Sequence, residues 1–354
     1  MKIKVAILEH DENYLNRIVS SFNMKYNDKI EIYSFTNKEI ALETIKSNRI
    51  DVFLANFVFD IDFTSLNKNL AFAYLVDSMD VDTVKQQRAI CKYQKADLIY
   101  KQILSIYSEK AEFTSGIKSG DDSAKVIAFC SVGCGAGAST LAASAAVHFA
   151  KKHEKTLYLN LEKLGSADVF FKGEGKYSMR DIIYAIKSRK ANLYLKLESS
   201  VKQDESGVYF YSQSKLALDM CEISIEEIVR LISELKHMGS YEYIVLDFDF
   251  NLNKEVLKVY SLVNSVVWVG DGSVMSNNKI MRAFEAVSIM EKELDIPILS
   301  RVKLAYNKFS SKTGFKLEAI NLPCVGGVPV YVHSDIQQVI EQISVMDLFD
   351  KIIQ

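Results

Sequence analysis

The sequence offers no surplus of charge. Its 354 residues carry 43 basic and 45 acidic side chains, a formal net charge of −2. Residues 1–112 hold 15 basic and 16 acidic residues, and the remaining −1 falls on the rest. Neither half therefore has the bulk electrostatics of a polyanion binder, and no stable nucleic-acid partner is expected. Cysteine is scarce and unpaired by number. Cys91, Cys130, Cys134, Cys221 and Cys324 are five, and their spacings match no zinc pattern. That excludes a disulfide framework and points to a reduced, cytoplasmic compartment. The five histidines show no metal spacing. Low-complexity stretches and solenoid-like repeats are missing too. MKIKVAILEHDE turns acidic after one short apolar run, unlike a signal peptide.

Charge is also missing locally. Val126 to Ala150, 25 residues, contains no Lys, Arg, Asp or Glu, long enough to cross a bilayer. Its middle reads SVGCGAGAST, and three glycines within five residues make a poor helix interior. A strand, a glycine loop and a helix account for the run better than a membrane span.

What is present is an alternation of strand-like and helix-like segments. Over 1–112 the runs KVAIL, IEIYSF, IDVFLANFVF and LAFAYLV read as strands, NYLNRIVSSF and QILSIYSEKAEF as helices. TSGIKSGDDSA is small and polar, so 113–124 is expected to be a linker. The alternation restarts with VIAFCS (strand) and TLAASAAVHFAKK (helix). It runs on through TLYLNLE, MRDIIYAIKSR, GVYFYSQ, ISIEEIVRLISELKHM, YIVLD, SVVWVG and RVKLAYNKF. VPVYVHS is expected as the last strand and DIQQVIEQISVMDLFDKIIQ as one closing helix. The fold class is α/β throughout: a flavodoxin-like domain, then a doubly wound nucleotide-binding domain. The closing helix carries more acidic than basic residues on its polar side, so core packing suits it better than a membrane surface.

The loop after VIAFCS is the candidate site. In a P-loop, backbone N–H groups and a helix N-terminus bind phosphate oxygens, and glycine allows the close approach. Gly133, Gly135 and Gly137 supply the glycines, with Cys134, Ala136 and Ala138 between and after them. Ser139 and Thr140 open the helix, and a hydroxyl there can bind Mg²⁺. The standard G-x-x-x-x-G-K-[ST] fails twice, at Val132 for the first glycine and Ala138 for the lysine. On the loop alone a plain packing turn remains open. Asp247, closing YIVLD, stands where an acid would support Mg²⁺ through water. Glu162, after TLYLNL, is placed to reach the metal or an attacking water.

With these residues in view, the second domain, 125–354, resembles the ParA/MinD family of deviant P-loop ATPases. The TadZ/CpaE pilus-assembly branch fits best, because CGAGAST is similar to its G-G-x-G-A-S-T loop. The resemblance places Gly133 at that family's signature lysine and Ala138 at the ordinary P-loop lysine, so both charges are absent. It makes Ser139 the metal hydroxyl, Asn160 and Glu162 the counterparts of two switch aspartates, and Asp247 the Walker B acid. Asp249 replaces the proline that usually follows. Asn307, beside Lys308, matches the adenine-reading asparagine, and Pro329 and Val330 belong to the segment closing over adenine. ATP and Mg²⁺ are the implied cofactors, with at most slow hydrolysis because charge on the phosphoryl oxygens lacks its cations.

Residues 1–112 resemble a response-regulator receiver. His10 and Asp11 fall at that family's two metal-binding acids, Asn56 at the phospho-acceptor, and Lys101, followed by Gln102, at the terminal lysine segment. An amide forms no acyl phosphate, so Glu9, Asp11 and Lys101 read as a relic polar cluster without a ligand, and a protein-binding or dimerising module is expected. Together the resemblances imply a homodimeric localisation and assembly factor for a Tad-type (Flp) pilus or secretion machine. It would meet partner proteins at the cell pole or the inner face of the membrane without inserting itself. A cycling ATPase that positions DNA or other cargo, and a nucleotide-free scaffold, are the rival readings.

Overall fold

The computed structural model describes residues 2–63, 66–110, 124–133, 135–188 and 192–353. The expected linker lies, Ala124 apart, outside the described residues. The chain divides into two compact units, Met1–Gly116 with Ser188–Ser200, and Ile117–Lys187 with Val201–Gln354.

The first unit runs β1 (Ile3–Leu8), α1 (Glu12–Tyr26), β2 (Ile30–Phe35), α2 (Lys38–Ser47), β3 (Val52–Asn56), β4 (Ala71–Val76), β5 (Thr83–Val84), β6 (Gln87–Cys91) and α3 (Ala96–Ser108). Its sheet has the order β2-β1-β3-β4-β6-β5. All pairs are parallel except β5 with β6. Val5, Leu54 and Leu75 on the strands meet Leu15, Ile18 and Phe22 of α1 in one apolar core. The three α1 residues recur at helical spacing, and Asp11 caps that helix by accepting from the Tyr14 N–H.

A helix from far along the chain, Leu193–Ser200, completes this unit. Leu195 joins the core of Ile99, Ile103 and Ile106. The buried Lys196 ammonium donates to Ser105 Oγ at 2.9 Å, and the Asn192 N–H to the Ser108 carbonyl at 3.0 Å. Glu198 pairs with Lys29 and accepts from the Tyr100 hydroxyl at 3.4 Å.

The second unit begins with β7 (Lys125–Ser131), α4 (Ala138–Lys151), β8 (Thr156–Asn160), α5 (Ala167–Phe170) and α6 (Met179–Ser188). With Leu193–Ser200 numbered α7, it continues β9 (Lys202–Gln203), β10 (Tyr209–Phe210), α8 (Ala217–Cys221), α9 (Ile225–His237), β11 (Tyr243–Asp247) and α10 (Lys254–Leu262). It ends with β12 (Ser265–Gly270), α11 (Val274–Leu294), β13 (Val302–Tyr306), β14 (Cys324–Gly327), α12 (Ile336–Ser344) and α13 (Leu348–Ile353). The sheet order is β14-β13-β12-β7-β11-β8-β10-β9, parallel but for β9. β7 stands between β12 and β11 with Ser131 aligned on Val269 and Phe129 on Asp247. The loop it feeds opens at the carboxyl edge of the sheet, where open α/β folds place ligands. α4 is nearly engulfed: Leu141, Ala145 and Phe149 are buried, and Phe149 stacks on Tyr243 at 4.1 Å between centroids. That apolar interior, with β7, accounts for the uncharged stretch. Among the described residues no helix is long and apolar enough to cross a membrane.

Three expected elements differ. The last strand is Cys324–Gly327 rather than VPVYVHS. Val328 still donates to the Tyr306 carbonyl, but Pro329 has no N–H to continue the ladder. The closing segment is two helices. Continuing the Ile340–Ile343 stripe at helical spacing would turn Asp347 and Asp350 inward. The break at Val345–Asp347 re-phases the chain so that Leu348, Phe349 and Ile352 reach the core with Ile340 and Ile343. The strand expected at GVYFYSQ shortens to Tyr209–Phe210.

Leu195→Ala is expected to cost ~2–4 kcal/mol by opening a cavity in the first unit. Native-state hydrogen exchange reads it directly. Faster exchange in α3 with α9 unchanged is the predicted pattern, and unaltered α3 protection would contradict the docking described.

Candidate functional site

The glycine loop is shaped by two left-handed residues, Gly135 at φ 81° and Gly137 at φ 84°, the second capping α4. Side chains are strained in that region. A Cβ on Gly137 would also lie 2.3 Å from Asn307 Nδ2. Asn307, at the end of β13, is buried and donates through Nδ2 to the carbonyls of Ala136 at 3.0 Å and Gly137 at 3.3 Å. Lys308 Nζ reaches the Gly135 carbonyl at 3.1 Å. Asn307 and Lys308 thus tie the loop's carbonyls from outside it. Ala138 is buried in the core rather than facing the loop's mouth, and Thr140 lies one residue beyond Ser139 in the first turn of α4. Cys134 lies outside the described residues.

Under the loop sits a polar cluster. Asp247 ends β11 with no exposed surface. Its Oδ2 accepts from the Tyr158 hydroxyl at 2.7 Å and from Asn160 Nδ2 at 2.9 Å, whereas its Oδ1 is buried with no partner. Burial first, and the nearby Glu162 carboxylate second, raise the Asp247 pKa well above the usual carboxylate range. Glu162 Oε2 accepts from Ser139 Oγ and from Asn160 Nδ2, each at 3.2 Å. Ser139, Glu162, Asn160 and Asp247 therefore meet at one point below the N-terminus of α4. An orphaned buried carboxylate oxygen beside a hydroxyl and a second carboxylate is the donor set a hard divalent cation fits, directly or through water. No group of three or more His, Cys, Asp or Glu suited to a metal occurs among the described residues. Asp249 accepts from the Lys163 N–H at 2.9 Å. Pro329 and Val330 are exposed and follow Val328, whose carbonyl accepts from Phe309 N–H at 2.9 Å, so they border Asn307 and Lys308. Tyr158, which with Asn160 orients Asp247, carries no recognisable motif.

Cys130 packs against Tyr260, with Sγ 3.6 Å from the hydroxyl, and burial pushes its thiol pKa up to about 12. It is inert as a nucleophile.

In the first unit Glu9 belongs to the polar cluster at the strand ends, as expected, but Asp11 and Lys101 do not supply its other charges. Glu9, fully buried, receives both Asn56 Nδ2 contacts, at 2.9 and 2.8 Å, and the Asp11 N–H at 3.1 Å. His10 Nδ1 lies 2.9 Å from it. Asp11 is turned to capping α1, so the acid beside Asn56 is Glu9. Lys101 sits within α3. The lysine of the cluster is Lys92, directly after β6, 3.5 Å from Glu9 and 3.1 Å from Asp77. Burial opposes the Lys92 charge, yet Asp77 and Glu9 raise its pKa above the ordinary lysine value. Asn56 Oδ1 accepts from the Val58 N–H at 3.0 Å, so its amide is engaged at both ends.

This altered cluster on a 2-1-3-4-6 parallel sheet agrees with the sequence family that matches. Residues 1–108 form a TadZ-like receiver domain. The second unit is similar in fold to a ParA family ATPase from Chlorobium tepidum TLS. The identity is 19% over 66% of this chain and 97% of that one, with a TM-score of 0.51. It also aligns with the cell division protein MinD of Aquifex aeolicus, at 18% identity over 62% of this chain and 95% of the other, TM-score 0.47. No curated protein sequence matches the chain. In the TadZ-like receiver domain, Asn56 is expected to take no phosphate from acetyl phosphate. Mass spectrometry that finds a hydroxylamine-sensitive adduct within residues 1–112 would contradict this.

Proposed function

We propose that the chain is an ATP-binding localisation and assembly factor of a Tad-type (Flp) pilus or secretion system, acting as a homodimeric scaffold with weak or no hydrolysis. The division into a receiver-like part (1–112), a linker (113–124) and an ATPase-like part (125–354) belongs to this reading. So does its placement at the cell pole, through pilus or secretion proteins. The observation that carries the nucleotide is Asp247 Oδ1, buried and unpartnered under a loop of two left-handed glycines at a helix N-terminus.

The loop amides of 133–140 would hold phosphate oxygens, and Ser139 Oγ with Asp247, through water, would hold Mg²⁺. The ion would neutralise phosphate charge. Asn160 and Tyr158 keep Asp247 oriented, and Glu162 shares Ser139. Asn307, Lys308, Pro329 and Val330 border the adenine end. The loop itself supplies no cation to a developing transition state, so binding is retained where turnover is not. Glu162 and Asp247 are the residues on which any slow hydrolysis would depend. The TadZ-like receiver domain favours this reading over a cargo-positioning ATPase, whose turnover would be fast and stimulated.

Calorimetry with Mg-ATP is expected to give saturable binding that Ser139→Ala weakens by about 1–2 kcal/mol, with turnover below roughly 1 s⁻¹. Absence of binding, or fast turnover, would refute the reading. The dimer is expected to depend only modestly on ATP. Light scattering at micromolar protein that shows a monomer with and without Mg-ATP would refute it.

A further inference from the structure

The loop's missing charge has a replacement nearby. From Val126 to Ala150 the chain carries no lysine or arginine, so any cation at the phosphate end must come from another element. α11 brings one. Its N-cap Ser273 accepts from the Ser276 N–H at 3.2 Å, and Asn277 Nδ2 donates to the Phe315 carbonyl at 2.7 Å. Ile280 is fully buried, and its Cδ1 lies 2.8 Å from where a Cβ on Gly270 would stand, so the helix sits close over the end of β12. β12 is the neighbour of β7. These contacts fix the second turn of α11 beside the start of the glycine loop. The Lys279 stem lies there: its Cδ is 3.7 Å from the position of a Cβ on Gly133. A Cβ on Gly133 would meet that stem at ordinary van der Waals distance, so the stem runs directly alongside the loop.

We propose that Lys279 is a phosphate-binding residue of this site, carrying on α11 the positive charge that the loop lacks. The inference rests on the nucleotide reading above. Among the described residues the Lys279 ammonium has no hydrogen-bond or ion-pair partner, in contrast to Lys308, which is spent on the Gly135 carbonyl. Its side chain is exposed, with a flexible stem packed on the loop and a free head. The loop carries no cation of its own, so a polyphosphate held there takes its compensating charge, besides the metal, from a neighbouring element. An ammonium held by a flexible stem strengthens binding of the anion.

The test is calorimetry on the full chain with Mg-ATP and with adenosine, for wild type, Lys279→Met and Lys279→Arg. Lys279→Met is expected to weaken Mg-ATP roughly three- to tenfold while leaving adenosine affinity and thermal midpoint unchanged. The loss should shrink at high salt, and Lys279→Arg should keep Mg-ATP within about twofold. A wild type that binds Mg-ATP and a Lys279→Met that binds it equally well would overturn the inference alone. Equal loss of ATP and adenosine with a lowered thermal midpoint would show a structural role and overturn it too. A wild type that binds no Mg-ATP would overturn both the inference and the nucleotide reading.

Discussion

The second unit depends on one buried carboxylate. Asp247 has no exposed surface, and only one of its oxygens is satisfied, by Tyr158 and Asn160. A charged, half-satisfied carboxylate in an apolar sheet is costly, which is why its pKa is driven upward. Such a group persists where something outside the chain completes it. Its surroundings fit this: Ser139 and Glu162 converge beside it, and the loop above is held open by carbonyl contacts to Asn307 and Lys308.

The same loop explains which substitutions the chain tolerates. Gly135 and Gly137 are required by their backbone angles, and Gly137 also by the amide of Asn307. Gly133 is different. A Cβ there would meet only the Lys279 stem, at an ordinary contact distance of 3.7 Å, so neither backbone angle nor space requires glycine. Ala138 belongs to the core behind α4. The two positions at which the resemblance leads one to expect lysines thus differ in their surroundings: Ala138 lies in the core and Gly133 beside the Lys279 stem of α11.

Much of this was legible in the sequence. The strand–loop–helix order around SVGCGAGAST, the acid at the end of YIVLD and the receiver-like alternation followed from periodicity and glycine placement. The identities of cluster members followed less well. Asp11 falls, with His10, at a receiver's metal-binding acids, but which of three consecutive polar residues turns inward depends on where β1 ends, and Asp11 is taken by the N-cap of α1. Lys101 reads as the lysine of a receiver, whereas Lys92 occupies the cluster because QRAIC, a short partly exposed strand, ends just before it. The α7 helix was illegible for a further reason. LYLKL alternates like a strand, and its docking on α3 of a unit some ninety residues earlier is a tertiary fact.

The account stands on phosphate recognition by backbone amides in a loop without lysine. Hydrogen exchange of residues 135–141 tests that most directly. With Mg-ATP these amides are expected to slow clearly, and with ATP plus a chelator to slow less, while α9 stays unchanged. Exchange in 135–141 that is the same with and without saturating Mg-ATP would contradict the account.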